Sequence, residues 1–178
     1  MGFLEDGKKI EEKFAEMFDS FNYSTKEQDI KEHWDVEIKF KFDVKSVKKI
    51  RRNDSYHNEL YHFIEIKNVN GDNGWLYGKA DFFAFETFKY FIIVSKDTLQ
   101  NFIAENVVKI YVDSPDKALY CLYSRAGRKD IITMITSIDL MRIAESVRVK
   151  DKITHFEIGE SVIPEEREKD RIKKLLKK

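Results

Sequence analysis

Two carboxylates and a lysine stand close together in the segment HWDVEIKFKFDVKSVKK, residues 33–49. Asp35, Asp43 and Lys45 share parity in a stretch where polar and apolar residues alternate, so an extended chain presents them on one face. If the chain turns back near 38–40, Asp35 lies opposite Asp43 with the two Cβ atoms about 5 Å apart. Carboxylates that close form a site for Mg²⁺, which prefers hard oxygen ligands. An adjacent ammonium can orient a water or stabilise charge developing on a phosphate.

A further carboxylate is predicted beside this site by the first helix. On a helix that turns by about 100° per residue, Glu11 lies inside the apolar arc whereas Glu12 points away. A carboxylate on a buried face costs free energy unless it is paired or bound to a metal. Glu11 is therefore a candidate additional ligand, or a group that orients a metal-bound water. The alternative is a boundary glutamate that extends to solvent.

The combination of an acid with a D-x-K element resembles the PD-(D/E)XK nuclease superfamily, including phage nucleases and Holliday junction resolvases. Asp35 matches the first acid, and Asp43-Val44-Lys45 matches the (D/E)-x-K element. A histidine and a tryptophan precede Asp35, where the family often has proline. The resemblance covers about residues 7–86. It implies a restriction-endonuclease-like α/β fold, with a mixed central β-sheet flanked by helices.

The same resemblance implies a reaction and a set of roles. The expected reaction is Mg²⁺-dependent hydrolysis of a phosphodiester bond, with DNA as the favoured substrate and Mn²⁺ able to replace Mg²⁺. Asp35, Asp43, the carbonyl of Val44 and Glu11 are the expected metal ligands. Lys45 is expected to position the attacking water and to offset charge in the transition state. Nucleases of this family often form homodimers, so a homodimer is expected too.

Glu65 offers a second arrangement. It lies in a predicted strand with Lys67 two residues on, so Glu65-Ile66-Lys67 is a rival E-x-K element. In that alternative Asp43 becomes the first acid and Asp35 is peripheral. We favour the hairpin arrangement, in which Glu65 supports the catalytic site.

Basic residues directly follow the predicted site, where phosphates must be held. The candidate nucleic-acid contacts here are Lys41, Lys48, Lys49, Arg51 and Arg52. Lys79 is a further candidate, in the glycine-rich stretch 71–81 that otherwise predicts a hairpin turn. Such contacts to phosphate are independent of sequence and sensitive to salt. No recognition helix or zinc finger is evident, so sequence-specific reading of bases is not predicted.

The composition limits the class of protein. The chain has 178 residues, of which 42% are hydrophobic and 36% charged, and the formal net charge is zero. The length predicts one domain, which we place at 1–163, and a charged helical tail at 164–178. A single cysteine, Cys121, excludes an internal disulfide framework and multi-cysteine metal sites. No apolar run approaches the roughly 20 residues of a membrane span, so a soluble cytoplasmic protein without a membrane partner is expected.

Several elements must position these residues. Helices are predicted at 4–19, 25–32 and 97–105, and from Ser137 to about 145, with a Ser24–Glu27 capping box opening the second. Strands are predicted at 36–45 (one long or two short), 60–68, 79–86, 88–95, 109–112, 118–124 and 131–136. This order indicates an α/β or α+β domain with a mixed sheet.

Two other functions fit the same residues. The first is a nucleic-acid-binding or inhibitory module that keeps the nuclease fold without turnover. It predicts binding of polyanions without Mg²⁺ and no cleavage product. The second is an interaction protein whose acidic segment 1–38 pairs with the basic strip 39–52 of a second copy. It predicts a salt-sensitive homodimer that is indifferent to nucleic acid.

Overall fold

The chain forms a mixed α/β structure. The computed structural model describes residues 3–18 and 21–150. Within them the helices are Phe3–Ala15 (α1), Lys26–Glu32 (α2), Lys96–Asn106 (α3) and Ser137–Ile143 (α4). The strands are Asn22–Tyr23 (β1), Val36–Glu37 (β2), Lys41–Lys45 (β3), Tyr61–Lys67 (β4), Phe82–Glu86 (β5), Tyr90–Ser95 (β6), Tyr111–Val112 (β7), Leu122–Tyr123 (β8), Ile131–Thr136 (β9) and Ser146–Val149 (β10). The predicted boundary at 163–164 and the tail lie outside the described residues.

The strands form two sheets rather than one central sheet. One sheet has six strands in the order β1-β2-β3-β5-β6-β10, and the other has four in the order β4-β9-β8-β7. Each is mixed, because β3 pairs with β5 in parallel and β7 with β8 in parallel, while the other pairs are antiparallel. The expectation of one central mixed sheet is therefore wrong, because β4 pairs with β9 in a second sheet and does not join the sheet that contains β3.

Both faces of the six-stranded sheet are covered. On one face α1 packs Phe14 against Phe42 of β3 and Phe91 of β6, with ring centres 5.2 and 5.0 Å apart. A second apolar cluster, drawn from β4, β5, β6, β9, α3 and α4, covers the opposite face and includes Phe83 and Phe85. Since β3 and β5 are in register with Asp43 beside Phe83, Asp43 belongs to this second face. On the polar side of the predicted strand, Asp43 is thus buried, Asp35, Glu37, Lys41 and Lys45 are partly buried, and Lys39 is exposed.

Local sequence sets the helix ends. Thr25 caps α2 in a reciprocal capping box with Gln28, and Thr136 caps α4 by accepting a hydrogen bond from the amide of Asp139. The predicted caps, Ser24 and Ser137, are each one residue off. The first helix ends at Ala15, four residues before its predicted end. No helix among the described residues has the length and apolar character needed to cross a bilayer.

Candidate active site

The hairpin of β2 and β3 brings the two predicted carboxylates together. Val36 pairs with Phe42 and Glu37 with Lys41, so the same register places Asp35 opposite Asp43. The turn closes at 38–40, as predicted, through a 3.0 Å hydrogen bond from the Ile38 amide to the Phe40 carbonyl. An Oδ2 atom of Asp35 accepts a 2.7 Å hydrogen bond from the Val44 amide. The first acid is therefore fixed against the backbone of the D-x-K element.

Asp43 is the most buried member of the site, with 4% of its surface exposed. Its Oδ1 atom forms an ion pair with Nζ of Lys45. Its Oδ2 atom is buried and has no hydrogen-bond partner among the described residues. Burial raises the pKa of Asp43, although the Lys45 ammonium acts in the opposite direction. The Asp35 and Asp43 carboxyl groups lie within hydrogen-bonding range of each other, so a protonated Asp35 can donate to Asp43. When both groups are ionised, the Asp43 Oδ2 atom receives no hydrogen bond from the described protein.

The environment of Asp35 also opposes its ionisation. Burial and the nearby Asp43 carboxylate raise the pKa of Asp35 to about 7, while Lys45 and the Val44 amide partly offset them. Two like charges at short range disfavour simultaneous ionisation, as in other carboxylate pairs. A cation bound between them would remove that penalty.

Glu11 reaches the same place from α1. It is half-buried whereas Glu12 is exposed, as the helical spacing predicts. Burial, together with the Asp35 and Asp29 carboxylates, raises the pKa of Glu11 to about 7, while Lys45 and Lys8 oppose the shift. The shift shows that the Glu11 carboxylate lies within electrostatic range of the hairpin carboxylates.

A small cavity of about 190 Å³ joins these groups. The side chains of Glu11, Asp35, Asp43 and Lys45 line it together, so the structure brings all four into one site. Asp29 and His33 of the α2 end line it too, and the sequence analysis did not assign Asp29 to the site. Asp29 lies on the short polar helix α2, and in the sequence it looks like any other charged residue on a solvated helix face. Its only sequence signal is the end of α2 at His33, two residues before Asp35.

The donor set fits Mg²⁺ with few protein ligands. Among the described residues, no three histidine, cysteine, aspartate or glutamate side chains are arranged to enclose an ion. Mg²⁺ usually keeps several waters and uses one or two carboxylates together with substrate phosphates. Asp35 and Asp43 supply that number, and the unpartnered Oδ2 of Asp43 is an oxygen without a competing donor. The Val44 carbonyl lies next to them in the chain.

Glu65 takes a different position from these carboxylates. It lies on β4, in the other sheet, and lines a larger cavity of about 420 Å³ that adjoins the first. Lys67 is exposed, and the strand register shifts between Glu65 and Lys67. The hairpin arrangement places Asp35, Asp43 and Lys45 around one cavity, whereas Lys67 of the Glu65-x-Lys67 alternative lines neither cavity.

The two cavities share Lys45, Ser46 and Lys48. Lys45 also lies over Trp75, with Nζ 4.3 Å from the ring centre. That ring is brought near β3 because Gly74 packs tightly on β4, where an added Cβ would lie 2.3 Å from the Glu65 carbonyl oxygen. Partial desolvation and the neighbouring Lys45 ammonium lower the pKa of Lys48. Lys45 and Lys48 therefore line both the carboxylate cavity and the larger cavity.

The other predicted phosphate contacts do not line these cavities. Arg51 donates to Asp116 through Nε, 3.0 Å from Oδ1, and Lys79 pairs with Glu32 at 3.1 Å. Lys41 lies over the Trp34 ring, with Nζ 4.9 Å from its centre. Lys49 is partly exposed and Arg52 exposed. Of the six candidates, only Lys48 lies at the site, and the rest are available at most to a longer polyanion.

The sequence analysis missed Arg125, Tyr61 and Tyr123, which line the larger cavity. Tyr61 and Tyr123 lie on strands of the second sheet and Arg125 lies in the connection between β8 and β9, so nothing in the spacing of residues 33–49 points to them. The alternation of Tyr61, Phe63 and Glu65 along β4 was the one available signal, because it places these three on one strand face.

Comparison with known proteins adds no relative: no family model matches the chain, and no curated protein or solved structure matches it significantly. The functional argument therefore depends on the site itself.

Proposed function

We propose that this chain is a Mg²⁺-dependent nuclease that hydrolyses phosphodiester bonds, with DNA as the favoured substrate. The observation that supports this most is the meeting of Asp35 and Asp43 across a tight hairpin, with Lys45 beside them and one buried carboxylate oxygen unpartnered. The mixed sheet, with α1 on one face, is consistent with the restriction-endonuclease-like core that the resemblance implies.

Each residue then has a defined task. Asp35 and Asp43 hold the ion, with the Val44 carbonyl as a further oxygen. When bound, Mg²⁺ supplies a water of lowered pKa and neutralises charge on the phosphate. Lys45, fixed by Asp43 and by the Trp75 ring, donates hydrogen bonds towards the attacking water and the phosphate oxygens. Glu11 orients a water on the α1 side of the cavity.

The electrostatics suit an ion that is held with its substrate. Carboxylates with pKa values near 7 bind a cation by losing protons, so affinity for Mg²⁺ rises with pH through the neutral range. A phosphate brought by the substrate adds a further oxygen ligand. We therefore expect tight metal binding only in the presence of nucleic acid.

The primary test is a cleavage panel. Purified protein is incubated with linear, branched and single-stranded DNA and with RNA, each with Mg²⁺, Mn²⁺ or EDTA. Products are expected with either ion and not with EDTA. Asp43→Asn and Lys45→Ala should each abolish cleavage, while Asp97→Asn, an exposed acid in the first turn of α3, should leave it unchanged. Full activity of Asp43→Asn would exclude the proposed site.

The chain also provides a matched pair for the α1 carboxylate. Glu11→Gln should slow cleavage at least tenfold and raise the Mg²⁺ concentration needed for half-maximal rate, because it removes a charge from the cavity. Glu12→Gln changes the same chemistry one position away on the exposed side and should behave as wild type. Equal rates for the two variants would remove Glu11 from the site.

One observation favours the second candidate, a binding module without turnover. Lys45 already pairs with Asp43, so a cation neutralises the most buried carboxylate of the site without a metal ion. Binding of nucleic acid that is independent of Mg²⁺, with no product from any substrate in the panel, would support this alternative.

A further inference from the structure

The larger cavity is built from parts of the chain that are distant in sequence. It encloses about 420 Å³ and lies beside the carboxylate cavity, with which it shares three residues. One wall is the segment that follows β3, a second is β4, and a third comes from the 115–132 region. A concave site of this size is in the range that takes a small organic group rather than a flat macromolecular surface.

Its cations are placed for a phosphate at the end nearest the carboxylates. Lys45 and Lys48 stand where the two cavities meet. Arg125 adds a guanidinium that is held by Asp130, a fully buried acid, through both its Nε atom and its backbone amide. The Arg125 side chain remains 41% exposed, so it is fixed in place and still accessible. Lys45 and Arg125 are each held by a buried acid, Asp43 and Asp130, and Lys48 adds a third cation, so their N–H donors are fixed in place for an anionic group of a ligand.

Three aromatic residues of the lining, unlike Trp75, belong to neither apolar core. Tyr61, Phe63 and Tyr123 line the cavity and are partly exposed, and none of them belongs to the two clusters of the interior. Partly exposed rings beside cations are the combination that stacks nucleobases. Glu65 provides an acceptor for N–H donors on a base edge, which a pocket for phosphate alone would not need.

We propose that this cavity binds one unpaired nucleotide of the substrate strand, next to the phosphate that is cleaved. The inference rests on the proposed nuclease function for its orientation and deepens it by naming the substrate class. A base that is stacked and paired in a duplex cannot enter a concave pocket without leaving the helix. The protein therefore prefers single strands, overhangs or flared ends over blunt duplex.

Binding without catalysis tests this directly. The full-length protein is titrated in EDTA against fluorescent oligonucleotides of one sequence, as single strand, blunt duplex and duplex with a single-stranded overhang, and affinity is read by anisotropy. Wild type should bind the single strand and the overhang more tightly than the blunt duplex. Tyr123→Ala and Tyr61→Ala should each weaken binding of the single strand about 5- to 100-fold and leave duplex binding unchanged. Circular dichroism confirms that each variant is folded.

Tyr111→Ala is the matched control. Tyr111 lies on β7 in the same sheet, is 58% exposed and does not line the cavity. It should keep the preference of wild type. Equal affinity of wild type for single strand and blunt duplex would overturn the inference, as would folded Tyr61 and Tyr123 variants that bind like the control.

The two proposals fail separately. If the protein cleaves DNA with Mg²⁺ but the tyrosine variants retain the wild-type preference, the pocket assignment is wrong and the nuclease stands. If no substrate is cleaved but binding of single strands depends on Tyr61 and Tyr123, the pocket stands and the nuclease assignment is wrong.

Discussion

Replacing Asp35 by asparagine removes a carboxylate whose ionisation the fold opposes. Burial and the Asp43 carboxylate raise the pKa of Asp35 to about 7, whereas an aspartate in an unfolded chain has a pKa of about 3.9. Between these values the folded protein retains a proton that the unfolded chain has lost. Stability therefore falls as the pH rises from about 4 to about 7. An asparagine still accepts the hydrogen bond of the Val44 amide, so the substitution removes the titration and keeps the contact.

The size of the effect follows from the shift. About three pKa units correspond to an upper limit of about 4 kcal/mol at 1.36 kcal/mol per unit. Solvent around a partly exposed carboxylate screens much of that, so roughly 1–2 kcal/mol is a reasonable magnitude. Asp35→Asn should thus be more stable than wild type by this amount at pH 8, which is roughly 2–8 °C in Tm for a chain of this length. At pH 4 the two proteins should be about equal.

Urea unfolding followed by circular dichroism at pH 4, 6 and 8 in EDTA measures the difference. Groups outside the site titrate alike in both proteins and cancel when the variant is compared with wild type. Loss of the Asp35 charge also eases the ionisation of Glu11, which adds to the difference in the same direction. Asp97→Asn serves as the exposed control. A difference that stays constant across this pH range, or a variant that is less stable at pH 8, would refute the electrostatic reasoning.

The same unfolding experiment, repeated with Mg²⁺ in place of EDTA, tests whether the ion binds at Asp35. At pH 8, Mg²⁺ at ten times its Kd should stabilise wild type by about 1.4 kcal/mol, because an ion that binds only the folded state shifts the folding equilibrium. Asp35→Asn should gain much less. Stabilisation of both proteins to the same extent would place the ion elsewhere.

Three further predictions concern the framework. Gly74→Ala should destabilise the protein by at least about 2 kcal/mol in urea unfolding, since the new Cβ would lie 2.3 Å from the Glu65 carbonyl oxygen; near-wild-type stability would contradict this close packing. Thr25→Ala should cost about 1 kcal/mol by removing the cap of α2, and an unchanged urea midpoint would show that the cap contributes nothing. Burial lowers the pKa of His62 to about 3, so stability should fall as the pH drops below about 6.5, by at most about 1.4 kcal/mol per pH unit. His62→Gln should flatten this dependence in unfolding curves from pH 4 to 7, and an unaltered slope would assign it to other groups.

What the sequence could predict was local. The unbroken alternation over 35–45 allowed one long strand or two short ones, and the pairing of Asp35 with Asp43 follows by counting once a turn is placed at 38–40. The choice of Glu11 over Glu12 needed only the helical repeat. The cap of α2 was missed by one residue because two capping-box pairs overlap there, Ser24 with Glu27 and Thr25 with Gln28. The local sequence pattern does not distinguish the two pairs.

What the sequence could not predict depends on contacts between distant segments. Nothing in residues 33–49 indicates that β4, which carries Glu65, pairs into a second sheet, or that Asp43 is buried. Arg125 reaches the larger cavity through the same second sheet. The alternation of residues along a strand predicts which side chains share a face. Which segments cover that face depends on contacts with distant parts of the chain.

The carboxylate site and the larger cavity are built from differently distributed residues, and this affects how substitutions can alter each of them. Asp35, Asp43 and Lys45 lie within eleven consecutive residues, so a three-residue turn is enough to assemble them. The neighbouring cavity depends on segments more than sixty residues apart. Under the proposed function, substitutions in the second sheet would therefore change the selectivity for nucleic-acid strands without disturbing the hairpin that carries the proposed reaction.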